Sequence, residues 1–190
     1  SNTLLNISSP VLSPNSSLLI TELDNNLNIL SQKEITIDSI ILQTAILNNK
    51  GNLIIAGVRG GNPINSQRSV LLEINSTQGL INYQNLSSSP VFFPTALAEL
   101  NNKYYLYSHA LNFHIYNQNL ELDTIINFPD GPLSSQKAYV IDSKMYLNGV
   151  DKYEILFSID TNYTIDTLQI SPYPFNIQAT QRGYFSIDGN

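Results

Sequence analysis

The stretch QTAILNNKGNLIIAG, residues 43–57, has the pattern of two apolar strands joined by a polar turn. Three similar stretches follow it along the chain: PTALAELNNKYYLYS (94–108), QKAYVIDSKMYLNG (136–149) and QATQRGYFSIDG (178–189). Aligned on one alanine each, they lie 51, 42 and 41 residues apart, the alanines being Ala45, Ala96, Ala138 and Ala179. A hairpin that recurs at this spacing indicates a repeat architecture with a unit of about 40–50 residues.

A second group of hairpin-like segments keeps step with the first. These are LLITELDNNLNIL (18–30), VLLEINSTQGLINY (70–83), NFHIYNQNLELDTI (112–125) and EILFSIDTNYTIDTL (154–168). Their anchors are Asp24, Asn75, Asn117 and Asp160. Because two separate sets of anchors share one period, each unit is expected to contain two hairpins. Units of this length with two hairpins are typical of the four-stranded blades of a β-propeller.

The residue types favour strands over helices. Ile, Val, Tyr, Phe and Thr dominate short runs bounded by Asn, Asp, Gly, Pro and Ser, and no run keeps a helical period. Strands such as NLIIAGV (52–58), SVLLEI (69–74) and KYYLYS (103–108) are apolar at successive positions, which indicates cover on both faces. The turn sequences NNKGN, NNK, DSK, DNN, NQN and DTN predict Asn or Asp at positions that need positive φ.

We name the strands of a blade A to D from the axis outward. The predicted A–B hairpins cover 40–57, 93–108, 135–149 and 175–189, and the C–D hairpins cover 18–37, 69–87, 112–128 and 153–171. The chain therefore begins with a C–D hairpin and ends with an A–B hairpin, which would complete one shared blade if the ring closes. The expected fold is an all-β propeller with four blades of four antiparallel strands, or part of a ring of six to eight blades.

Residues 1–16 are polar, interrupted by proline and unpatterned, so we expect a tether there and propeller repeats over 17–190. The paired motifs, an A…(N/D)xK…Y/L hairpin followed by an I(D/N)xxN hairpin, resemble the kelch- and YVTN-type β-propellers of bacterial surface proteins. This resemblance covers about residues 17–190 and implies the architecture. A tether before such repeats leads us to expect an exported protein at a cell surface or in a periplasm, with or without a lipid anchor upstream.

Composition argues against several functions. The net charge is −6 and the nine Lys and Arg residues are dispersed, which disfavours nucleic acid as a partner. There is no cysteine, and no stretch approaches the roughly 18 apolar residues of a membrane helix. With two histidines, His109 and the strand residue His114, neither a zinc site nor histidine catalysis is expected, and we predict no cofactor and no metal.

The B–C and D–A connections of a propeller lie at one end of the ring, where ligands usually bind. The predicted ligand or partner residues at this end are Arg59, Arg68, His109, Asp130, Asp151 and Tyr173. The first B–C connection, VRGGNPINSQRS (58–69), contains the extra residues of the 51-residue spacing and is either a recognition loop or a tolerated surface insertion.

Two functions remain open from the sequence, besides the possibility of a purely structural spacer. The first is a non-catalytic module that binds a protein partner or a glycan through this end of the propeller. The alternative is a propeller hydrolase or lyase acting on carbohydrate or peptide, with Asp38, Asp130 and Asp151 as acids and Tyr173 as a sugar platform.

Overall fold

The computed structural model describes residues 4–8, 17–37, 40–59, 68–75, 79–86, 93–109, 111–128, 134–150 and 154–170. These residues form fifteen strands in four antiparallel sheets. Within these ranges no helix is long and apolar enough to cross a membrane. The predicted all-β class is therefore confirmed for the part of the chain that the structure describes.

Three of the sheets have four strands in chain order, as a propeller blade requires. Sheet 2 contains β4 (Ile40–Leu47), β5 (Leu53–Arg59), β6 (Arg68–Asn75) and β7 (Gly79–Asn85). Sheet 3 contains β8 (Pro94–Leu100), β9 (Lys103–Ser108), β10 (Asn112–Tyr116) and β11 (Leu122–Asn127). Sheet 4 contains β12 (Ser134–Ile141), β13 (Lys144–Val150), β14 (Glu154–Asp160) and β15 (Ile165–Ile170). These sheets reproduce the predicted A–B and C–D hairpins between residues 40 and 171.

Sheet 1 has three strands: β1 (Leu4–Ser8), β2 (Ser17–Leu23) and β3 (Ile29–Thr36). Strands β2 and β3 form the predicted first C–D hairpin. Strand β1 lies inside the segment that the sequence analysis treats as a tether, and it pairs with β2 from Leu4↔Leu23 to Ser8↔Leu19. It therefore occupies the B position of this sheet, the edge that we expected the last A–B hairpin to fill. That hairpin, 175–189, lies outside the described residues.

The central strand β5 shows how neighbouring sheets pack. Leu53 and Ile55 join the cluster that includes Leu18 of sheet 1, whereas Ile54 and Ala56 join a second cluster with residues of sheet 3. Successive residues of one strand thus contact different sheets, which explains the unbroken apolar run. Each such leucine or isoleucine side chain, when fully buried, contributes about 1.5–3 kcal/mol to stability.

An aromatic cluster joins sheets 3 and 4. The ring of Phe157 on β14 lies 4.9 Å from Phe128, 5.6 Å from Tyr107 and 6.2 Å from Phe113, measured between centroids. Phe157, Tyr107 and Phe113 have no solvent exposure. Burial also raises the pKa of the Tyr107 hydroxyl, so this side chain stays neutral in the folded protein.

The inner strands of sheets 2, 3 and 4 lie beside one another, since β8 contacts both β4 and β12. Each of these sheets therefore turns its A strand toward a common region and its D strand outward. This arrangement is propeller-like, as the repeat pattern predicts.

Connections from B to C and from D to A lie at one end of the sheets, which we call the loop end. The hairpin turns lie at the other end, which we call the turn end.

One five-residue turn recurs at 24–28, 48–52, 117–121 and 160–164. Its first residue is Asp or Asn, and one side-chain oxygen of that residue accepts hydrogen bonds from the backbone N–H groups two and four positions later. The fourth residue adopts positive φ; these residues are Leu27, Gly51, Leu120 and Tyr163. The side chain of the first residue thus holds the turn in place through its hydrogen bonds, while the fourth residue supplies the left-handed backbone conformation.

The prediction that Asn or Asp takes the positive φ is thus confirmed in only two turns. Asn101 and Asn102 in NNK, and Asp142 in DSK, have positive φ. In DNN, NQN, DTN and NNKGN the prediction is wrong, because there the Asp or Asn serves as the hydrogen-bond acceptor. The left-handed residue comes three positions after it.

Replacing Leu27 with glycine is expected to raise the free energy of unfolding by about 0.5 kcal/mol. Leu27 has a φ of 64° and is 65% exposed, so glycine relieves backbone strain and loses almost no packing. The matched control is Leu120→Gly at a φ of 62°, where the side chain is fully buried and its loss costs about 2–4 kcal/mol. Urea unfolding measures both; destabilisation by Leu27→Gly would contradict the strain argument.

Candidate binding site

Three of the six predicted site residues are described, and all three lie at the loop end. Arg59 ends β5, Arg68 begins β6, and His109 directly follows β9. The other three, Asp130, Asp151 and Tyr173, lie outside the described residues, as does Asp38 of the alternative hydrolase hypothesis. The structure therefore gives the positions of three of these residues, and the binding role of all six stays a prediction.

The two arginines are direct partners in the β5–β6 ladder. Directly opposite residues of antiparallel strands have side chains on the same face of the sheet, so the two guanidinium groups lie on one face. Arg59 is positioned by Tyr83 on β7: its Nη1 donates to the Tyr83 hydroxyl at 3.2 Å, and its guanidinium carbon lies 5.9 Å from the ring centroid. The Tyr83 hydroxyl in turn donates to Asn85 Oδ1 at 2.9 Å. We call these four residues, Arg59, Arg68, Tyr83 and Asn85, the arginine site.

The arginine site is suited to bind carboxylates. A guanidinium presents a rigid fork of N–H donors that matches the two oxygens of a carboxylate. The side chain of Arg68 is exposed at the loop end, and that of Arg59 is half-buried against Tyr83. Both arginines could be predicted from their place in the long B–C connection, whereas Tyr83 on the outer strand could not.

His109 is exposed at the same end of the next sheet. Its backbone N–H donates to the carbonyl oxygen of Phe93 at 3.0 Å, and its ring meets that of Phe93 edge-on at 6.2 Å. Nearby, the Ser108 hydroxyl donates to Asn112 Oδ1 at 2.7 Å. This region adds polar groups to the loop end but is built on sheet 3, whereas the arginine site is built on sheet 2.

His114 lies within β10, as the sequence predicts, and is buried. Its Nδ1 is 3.2 Å from the Tyr116 hydroxyl. Burial lowers the pKa of His114 to about 4, because the charged imidazolium loses its hydration. A neutral, enclosed ring of this kind is a structural side chain at neutral pH. Among the described residues, no group of three His, Cys, Asp or Glu side chains is placed to hold a metal ion.

The turn end contains a polar network that the sequence analysis did not predict. Asn48 Nδ2 donates to the Tyr104 hydroxyl on sheet 3 at 2.8 Å and to Glu73 Oε1 at 3.4 Å. Asn52 Nδ2 donates to the same Glu73 oxygen at 2.7 Å, and Asn52 Oδ1 accepts from Asn75 Nδ2 at 2.8 Å. Glu73 is buried, so these amides supply the hydrogen bonds its carboxylate requires.

A groove opens beside this network between the inner strands β4, β8 and β12. Its volume is about 350 Å³. The lining residues are Ile46, Leu47, Asn48, Asn49, Leu97, Ala98, Glu99, Ala138 and Val140. The groove lies at the end of the sheets opposite the arginine site, so the described part of the chain has two separate surfaces with binding potential.

Comparisons with known proteins show likeness in fold. No family model matches the chain, and no curated protein matches it. A solved structure of a protein of unknown function from Bacteroides caccae is similar with a TM-score of 0.55 and 10% identity, covering 88% of this chain and 61% of that one. The chain thus spans about three fifths of the length of that protein.

Two further solved structures have lower similarity. The β-propeller domain of Cps50 (Swd1) from Myceliophteria thermophila has a TM-score of 0.46 at 9% identity, covering 89% of this chain and 74% of that one. BamB from Moraxella catarrhalis has a TM-score of 0.42 at 12% identity, covering 75% of this chain and 39% of that one. At these identities the comparisons identify a shared all-β fold with the Bacteroides caccae protein and assign no function.

Proposed function

We propose that this chain is a non-catalytic β-propeller module that binds a carboxylate-bearing segment of a partner protein at its loop end. The observation that carries the proposal is the register pairing of Arg59 with Arg68 beside Tyr83. The propeller-like stacking of the sheets supplies the rigid frame on which these side chains are held.

The paired register of Arg59 and Arg68 brings two guanidinium groups to the loop end of neighbouring strands. A partner carboxylate placed between the guanidinium groups would form charge-assisted hydrogen bonds with both, each of which contributes about 1.5–3 kcal/mol.

The remaining predicted residues, His109, Asp130, Asp151 and Tyr173, extend the proposed site across the loop end. In the same proposal the protein is exported and acts at a cell surface or in a periplasm. The support for export is a composition with few charges and many neutral polar residues, together with the resemblance of the repeats to propellers of bacterial surface proteins.

Fluorescence anisotropy with a labelled hexaglutamate peptide tests this function. We expect saturable binding that weakens with salt, no binding of a hexaserine peptide, and about a tenfold loss of affinity in Arg68→Ala. Arg68 is exposed, so this variant is expected to keep the unfolding midpoint of the native protein. Lys50→Ala is the matched control, because Lys50 is an exposed cation at the turn end and its loss leaves the affinity unchanged.

Two results would count against the proposal. Equal binding of hexaserine and hexaglutamate would show that binding does not depend on carboxylates. Unchanged affinity in Arg68→Ala would show that the arginine site does not bind the peptide. Tighter binding of polygalacturonate than of hexaglutamate would indicate that the natural ligand is an acidic glycan and not a protein.

A further inference from the structure

The groove at the turn end combines an apolar wall with one carboxylate. Leu47 on β4 is 52% exposed and Val140 on β12 is 45% exposed, although both belong to inner strands. Ala98 also lines the groove and belongs to β8, the strand that contacts both β4 and β12. Methyl groups that remain in contact with water inside a concavity favour a ligand with an aliphatic part.

Glu99 supplies the carboxylate of this groove. Its Oε2 accepts the backbone N–H of Asn49 at 2.7 Å, and its Oε1 accepts Nε2 of Gln118 at 3.4 Å. An ionised carboxylate has about four acceptor positions, so two of them are not used by these contacts. In the described part of the chain, the Lys–Asp ion pairs involve Lys103 and Lys144, and no cation is paired with Glu99.

The side-chain donors next to Glu99 are already engaged. Asn49 Nδ2 donates to Asn102 Oδ1 at 2.8 Å, and Gln118 Nε2 also lies 3.3 Å from that oxygen. These contacts fix Asn49 and Gln118 in place around the carboxylate. The rim therefore presents acceptors and negative charge, and an anionic ligand would meet repulsion there.

We propose that this groove binds a primary alkylammonium ion with a stem of about four to six carbons, with the ammonium group on Glu99 and the stem along Leu47 and Val140. An ammonium has three donors and no acceptor, which matches the unused acceptor positions of Glu99. A volume of about 350 Å³ is at the small end of ligand sites and accommodates such a stem. This site lies at the opposite end of the sheets from the arginine site and is independent of the function proposed there.

Three probes with one stem separate charge from shape: pentylamine, pentanol and pentanoate, titrated at pH 7.5 and followed by amide NMR shifts. We expect pentylamine to saturate shifts around Asn49 and Glu99 with a dissociation constant on the order of 1 mM. Pentanol is expected to bind at least fivefold more weakly, and pentanoate to leave these shifts unchanged. Nα-acetyl-lysine methylamide serves as a fourth probe for the same ammonium group on a peptide.

Glu99→Gln tests the carboxylate, because the amide oxygen of glutamine still accepts the Asn49 N–H and the fold is retained. We expect a loss of affinity for pentylamine of at least fivefold, whereas the exposed Glu34→Gln on β3 leaves the affinity unchanged. Tighter binding of the lysine derivative would indicate that the natural ligand is a lysine side chain of a peptide. Tighter binding of pentylamine would indicate a free amine. Equal affinity for pentylamine and pentanol, or no effect of Glu99→Gln, would overturn the proposal.

Discussion

Phe157→Ala is expected to lower the free energy of unfolding by about 3–5 kcal/mol. The ring is fully buried between sheets 3 and 4 and lies within 6.2 Å of the rings of Tyr107, Phe113 and Phe128. Removing it leaves a cavity in the interface that joins these sheets, and the rigid strands around it cannot collapse to fill the space. Urea unfolding followed by circular dichroism measures the loss.

Two control variants test whether the loss comes from the buried volume of the Phe157 ring. Phe157→Leu keeps most of the apolar volume and is expected to cost only about 1–2 kcal/mol. Ile125→Ala removes a side chain that is 47% exposed on the outer strand β11 and is expected to cost less than about 1 kcal/mol. A loss below about 1 kcal/mol in Phe157→Ala would show that sheets 3 and 4 do not depend on this aromatic contact.

Acidification from pH 6.5 to pH 4.5 is expected to destabilise the protein by about 2 kcal/mol through His114. The unfolded chain takes up a proton near the ordinary histidine pKa of 6.5, whereas the buried ring does so only near pH 4. Between these values the unfolded state binds more protons, so stability falls as the pH falls. Above pH 6.5 the contribution of His114 is fully present. The measurement is the urea unfolding midpoint at several pH values in this window.

The His114→Gln variant isolates this contribution, because it removes the titrating group and keeps a polar side chain near the Tyr116 hydroxyl. Its stability is expected to change much less across the same pH range. His109→Gln is the control, since it removes an exposed histidine and leaves the buried ring of His114 in place. If His114→Gln and the native protein lose stability in parallel, the buried imidazole is not the group responsible.

Much of the fold could be predicted because the relevant signals are local and repeated. Alanine anchors such as Ala45 and Ala96 mark hairpins whose apolar residues and turns lie within about twenty residues of each other. Strand β1 had no such signal: LLNIS is a single short apolar run among polar residues and has no second strand beside it in the sequence. Its partner β2 begins nine residues after it ends, so the pairing is visible only in three dimensions.

The binding surfaces were less predictable because they join distant residues. Arg59 and Arg68 could be located, since the strand assignment puts both at the ends of one B–C connection. The contact between Asn48 and Tyr104 spans 56 residues and depends on how sheets 2 and 3 stack. The groove at the turn end likewise forms where the three inner strands β4, β8 and β12 come together, and the separate sequences of these strands do not show how close they lie in space.

Strand β1 also affects how the molecule behaves toward other copies of itself. An uncovered strand such as β2 would offer a seven-residue row of backbone donors and acceptors to another chain, which is a route to aggregation. The five residues of β1 pair with five of these seven, from Leu19 to Leu23. Among the described strands β1 is then the edge of this sheet, and because it is two residues shorter than β2 it is a poorer template for intermolecular strand addition.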